Sequence, residues 1–221
     1  ENEAETYLNA ISYKSDIYEK LSNNLKNLFD KWNSLEIYSQ NWSVLKAFWW
    51  FEDMKKNIWV YELENRYWTL PMWENFTEIK DFSLLNWEIF IKAYPWFDFQ
   101  VNFCNPFKIT IEKSIITKIE NAPDDFMQII DKIKESEWEV MIRELWFWLN
   151  TAISFQNPLS DINSFERMSW LHFSLWKKHN IYRKKLHKDV VQRYHIDIFP
   201  EVEKVFIDKN LIFKNWEYKK R

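Results

Sequence analysis

The chain has 221 residues, a formal net charge of −3 and a single cysteine. That length buries a sizeable core, and the slightly acidic balance leaves no electrostatic case for nucleic acid or an anionic membrane. Cys104 alone excludes an internal disulfide framework and fits a reducing compartment, and no apolar run of 18 residues or signal peptide occurs, so a cytoplasmic chain without a membrane span is expected.

Residues 17–31 have helical periodicity: Ile17, Leu21, Leu25 and Leu28 recur on one face, and Asp16 with Glu19 three residues on resembles a capping box. A hairpin is expected next, with a strand from Leu35 through Tyr38, a turn at Asn41-Trp42 and a return over Val44–Phe48. A loop-rich stretch continues to about residue 86 and carries Glu74. Alternating or apolar runs then predict strands over 88–94, 97–103, 106–112 and 115–120. Asp124 to Ser136 predicts an amphipathic helix, with Phe126, Ile129, Ile130 and Ile133 on one face. Strands are expected again over 139–145, 170–175, 194–199, 203–207 and 211–214. The pattern is α+β, a mixed or antiparallel sheet with few helices. It divides into a helical segment over 1–34, read as the remnant of a truncated N-terminal region, and a metal-binding catalytic domain over 35–221.

The chain has no glycine and fifteen tryptophans. Average usage near 7% predicts roughly 15 glycines in a chain this long. Several tryptophans stand where glycine is usual: after Asn at 42, 87 and 216, after Pro at 96, and paired at 49 and 50. These positions suit UGA codons that the source reads as Gly and that have been rendered as Trp. That reading also requires ordinary glycine codons to be absent.

Chemistry concentrates in a few side chains. His195 and Asp197 are two apart in an apolar run, so in a strand they project from the same face as a pair of potential metal ligands. His172 lies in a second apolar run, Leu171–Leu175, and Glu144 in a third, Met141–Leu145. With Glu74 these make two imidazoles and three carboxylates, enough for one metal or a bridged pair. Taken singly, each has a plainer role: a core histidine for His172, an ion pair with Arg143 or Lys134 for Glu144, an exposed loop for Glu74. No nucleophile motif competes. Cys104 is expected to be a buried structural thiol, and His179 and His187 belong to a basic surface loop.

With tryptophan read as glycine, four segments resemble the aminopeptidase T-like (leucyl aminopeptidase, thermophilic metallopeptidase) family: Tyr67–Phe76, Arg143–Asn150, His172–Trp176, and Tyr194–Asp197 followed by Val205–Asp208. The resemblance implies metal ligands at Glu74, Glu144, His172, His195 and Asp197, with Glu74 and Glu144 also catalytic. Divalent zinc, cobalt or manganese would activate a water against an N-terminal peptide bond. It implies a metalloprotease, a hydrolase working on peptide or small-molecule substrates as a homodimer. The same superfamily includes dihydroxypyridine dioxygenase. Likeness to that enzyme implies one Fe(II) on His172, His195 and Asp197, with Glu74 and Glu144 as outer carboxylates. An inactive fragment is the third expectation.

Overall fold

The fold is described from a computed structural model over residues 2–12, 15–39, 41–48, 51–57, 74–175, 194–214 and 217–218. It opens with two helices, α1 (Glu3–Ile11) and α2 (Ser15–Phe29). Asn2 caps α1 by accepting from the Glu5 amide. Asp16 falls inside the first turn of α2 rather than at its cap.

Ten strands follow the helices on either side of a third: β1 (Leu35–Tyr38), β2 (Val44–Ala47), β3 (Lys55–Asn57), β4 (Glu74–Glu78), β5 (Trp87–Pro95), β6 (Val101–Glu112) and β7 (Ile115–Glu120), then α3 (Asp124–Glu137), β8 (Ile142–Trp148), the single-turn α4 (Ile162–Phe165), β9 (Trp170–Leu175) and β10 (Ile196–Pro200). The chain closes with β11 (Lys204–Ile207), β12 (Asn210–Lys214) and β13 (Glu217–Tyr218). These strands form two antiparallel sheets. One has five strands in the order β13-β12-β11-β1-β2, the other eight in the order β3-β4-β8-β9-β10-β5-β6-β7. The α+β class with few helices holds, and the pairings are antiparallel throughout.

One core joins the helices to both sheets. Leu25 and Phe29 of α2, Leu35 and Ile37 of β1, Phe126 and Ile130 of α3, and Leu145 and Phe147 of β8 belong to a single buried cluster. Burial of this apolar surface is the main stabilising term, at about 25 cal/mol per Å². α2 is also pinned to the large sheet by polar bonds. Ser22 Oγ donates to Asn75 Oδ1 (2.7 Å), and Asn75 Nδ2 donates back to the Ser22 carbonyl (3.0 Å).

Several elements depart from the expected pattern, among them the short β3, α4 and β13, which were not anticipated. β6 runs unbroken from Val101 to Glu112 where two strands, 97–103 and 106–112, were expected. Pro106 lacks an N–H, but a register shift against β5 falls between the Phe107 and Phe103 pairings, and β7 pairs only with residues 108–112. β8 lies three residues later than its apolar run suggested. β4 occupies ground read as loop, because its sequence is polar and its burial comes from β8 alongside. α1 was not anticipated.

The turn at Asn41-Trp42 is present, with Trp42 at φ 63°. Trp87, by contrast, is buried at the start of β5 and is no turn residue. The pairs at 49–50 and 215–216 lie outside the described residues, as do His179 and His187. No described helix is long and apolar enough to cross a membrane.

Candidate metal centre

Strand alternation decides which side chains meet. Across the middle of the large sheet, Asp197 of β10 pairs with Ser174 of β9, Ser174 with Glu144 of β8, and Glu144 with Glu78 of β4. One turn of the pleat away, His172 pairs with Trp146 and Trp146 with Phe76; beyond them Trp170 pairs with Trp148 and Trp148 with Glu74. Directly opposed residues share a face, so Glu74, Glu144, His172 and Asp197 all project from one side of the sheet, and His195 joins them two residues before Asp197.

Within that face the five are not equally close. His195 Nε2 lies 3.1 Å from Asp197 Oδ1, and His172 Nε2 lies 3.5 Å from the same oxygen. Ser174 Oγ donates to Asp197 Oδ1 at 2.6 Å and lies 3.1 Å from His195 Nε2. Glu144 stands beside this group, close enough for its charge to act on His195. Glu74 sits two strand spacings from β9, roughly 10 Å, with Trp148 between it and His172. It is the first residue of a buried strand rather than an exposed loop residue.

Electrostatics separates the two histidines. Burial holds His172 down at about 4, outweighing the pull of Asp197, so the ring is neutral at pH 7 with a lone pair to offer. Burial also disfavours charge on His195, but Asp197, Glu144 and Glu166 outweigh it and raise that imidazole to about 9. His195 is the solvent-facing member, 36% exposed. Asp197 is buried, which alone would raise its carboxyl; the two imidazoles beside it hold it well below the usual range instead.

Three residues that the sequence reading did not single out complete the surroundings. Glu166, just past α4, is raised well above the ordinary glutamate value by burial and by the Asp197 charge, and its carboxyl is hydrogen-bonded with that of Asp197. The backbone of Glu166 also bonds the His172 ring. Arg167 pairs with the Glu166 carboxyl and lays its guanidinium over the Trp148 ring at 4.8 Å. Ser174 was legible in principle, since it follows His172 by two within the same strand.

The residues suit a single cation by type and support. The imidazoles come from β9 and from the residue just before β10, the carboxylate from β10; both Nε2 atoms face one carboxylate oxygen, and each of the three groups makes a further hydrogen bond. Among the described residues no group of three His, Cys, Asp or Glu side chains is spread as a ready metal cage. Asp197 is instead bonded directly by protein donors, with the His195 proton against its oxygen. Cys104 takes no part. It is half-buried on β6, its thiol facing the Lys92 carbonyl at 3.4 Å, and burial pushes it up to about 11.

No family model matches the chain, and no curated protein does. Among solved structures it is similar to 2,5-dihydroxypyridine dioxygenase from Pseudomonas putida KT2440, with a TM-score of 0.67 and 14% sequence identity. The match covers 97% of this chain and 62% of that one, so this chain spans under two thirds of its neighbour's length. At that identity the likeness establishes a shared fold. It also corrects the sequence reading. The aminopeptidase T-like assignment, with its hydrolase and metalloprotease labels, rested on four short segments; no family model supports it, and the similar structure is a dioxygenase.

Proposed function

We propose that the chain is the iron-binding part of a ring-cleaving dioxygenase, with His172, His195 and Asp197 holding one Fe(II). The observation that carries this reading is the approach of both Nε2 atoms to a single Asp197 oxygen on adjacent strands, in a fold shared with a dioxygenase. Two histidines and one carboxylate are the ligand set of non-haem ferrous oxygenases. When bound, ferrous iron supplies the one-electron chemistry with oxygen that side chains lack.

The chain's own residues do the rest. His172 is neutral and needs to lose no proton before donating its lone pair, whereas His195 must release one. Ser174 donates to Asp197, and a hydrogen bond between the Glu166 and Asp197 carboxyls helps to fix its orientation. Glu144, opposite Ser174 on the same face, is placed to take a proton from a ring hydroxyl. Glu74, two strands from His172 on the same face, is left to position the far side of a ligand.

The test is oxygen uptake by the Fe(II)-loaded protein, with 2,5-dihydroxypyridine as the first substrate tried. Substrate-dependent uptake that is lost in His172→Ala supports the reading. Iron that binds but drives no uptake with hydroxylated aromatic rings would sink the dioxygenase assignment.

A further inference from the structure

Four tryptophans are placed in ways an indole does not favour. Trp42 and Trp138 have φ of 63° and 67°. They are also the two most exposed large apolar side chains among the described residues, at 93% and 87%. Trp138 closes α3: its N–H bonds the Lys134 carbonyl while its backbone turns to positive φ, the place where helices commonly end on glycine because a Cβ is disfavoured there.

Trp146 and Trp148 present the opposite anomaly. They are buried, yet with Phe76 they form a small cluster separate from the main core. The two indoles are nearly parallel, 13° apart with centroids at 6.2 Å, and each lies 22° from the plane of His172 at 5.9 and 6.4 Å. Their surroundings are polar. Trp146 Nε1 donates to Ser174 Oγ at 2.8 Å, Arg167 lies over Trp148, and Glu74 stands opposite it. A flat aromatic pair fills a space walled by ligand-type side chains.

With fifteen tryptophans and no glycine in the chain, we infer that its tryptophan positions carry glycine in the cell that owns the gene, and that glycine at 146 and 148 opens a cleft for a planar aromatic ligand between Phe76 and His172. Glycine inside a strand often marks a bulge, a bend, or a close approach by a ligand or another backbone, and here polar and ring groups wall the vacated space. The indoles themselves show what the cleft accepts: a flat ring on the His172 side, a ring N–H or O–H donating to Ser174, and a π-face toward Arg167. The ligand class is thus a heteroaromatic or phenolic ring. The ligand class matches the ring substrate proposed above, so this cleft deepens and rests on that reading, whereas the glycine assignment itself needs no iron.

Two experiments decide it. The first is mass spectrometry of peptides spanning 42, 138 and 142–150 from protein purified out of the source cells. Glycine mass at all four positions is expected, and tryptophan mass at any of them overturns the inference.

The second compares a recombinant chain carrying glycine at all fifteen positions with the same chain retaining Trp146 and Trp148, using free indole as the probe. The all-glycine chain has no tryptophan of its own, so indole emission reports binding directly. Saturable binding to the all-glycine chain, lost when the two indoles are retained, is expected. Equal binding by both, no binding by either, or an all-glycine chain that fails to fold while the fifteen-tryptophan chain melts cooperatively overturns it. Iron content is read separately, so loss of iron with indole binding intact counts only against the ferrous site.

Discussion

The two halves of one sheet face differ in what fills them. On β9 and β10, His172, Ser174, His195 and Asp197 are small or ring-shaped polar groups whose atoms meet at one carboxylate oxygen. On β4 and β8, the same face carries Glu74, Phe76, Glu78, Glu144 and two indoles. Alternation puts both sets on one side of the sheet, but only the first is drawn together. Sharing a face is therefore a weaker condition than forming a site. The deciding factor is strand order: β8 lies between β4 and β9, so Glu74 stands two strand spacings from His172 whatever residue occupies position 148.

The comparison breaks most sharply at Arg143. Its guanidinium is fully buried, 3.4 Å from Glu78 and 4.6 Å over the Phe82 ring. If the β4–β8 half is structural, Arg143→Ala strands a buried carboxylate and costs about 3–5 kcal/mol of stability. A melting curve measures this, and an unchanged midpoint would mean that half is not held by its ion pair.

The β9–β10 half is instead expected to respond to pH. His195 keeps its proton up to about 9 while His172 is neutral above about 4. A cation must then displace one proton, so Fe(II) affinity should rise roughly tenfold per pH unit until about pH 9 and level off above it. Anaerobic titrations at several pH values test this; a flat profile would place the metal away from His195.

Smaller effects separate the glutamates. Glu144→Gln is expected to weaken iron binding by roughly 10–100-fold, as losses of outer-sphere charge do. Glu74→Gln, two strand spacings from β9, should change it by less than about twofold on the same reasoning. Equal losses at both positions would return Glu74 to the metal and revive a two-metal site.

Much of this was legible because strand periodicity is local. The spacing of His195 and Asp197, and His172 within its apolar run, gave three side chains their faces before any pairing was known. The order of strands is not local, and it is what brings β9 beside β10 and leaves β4 two strands away. Glu166 had no readable signal, since it follows a single-turn helix and reaches Asp197 only through the fold. The polar run Glu74–Glu78 gave no strand pattern, because its burial is imposed by β8 and by the Ser22–Asn75 bonds. The family resemblance failed for a related reason: four short segments that match by residue type do not specify which reaction the fold carries.

The most direct test is the metal content of the chain after anaerobic loading with Fe(II), measured beside Asp197→Asn. A site on His172, His195 and Asp197 predicts one iron per chain, and at least about a hundredfold weaker binding in the variant. No bound iron, two irons per chain, or an Asp197→Asn protein that binds as tightly as the parent would contradict it.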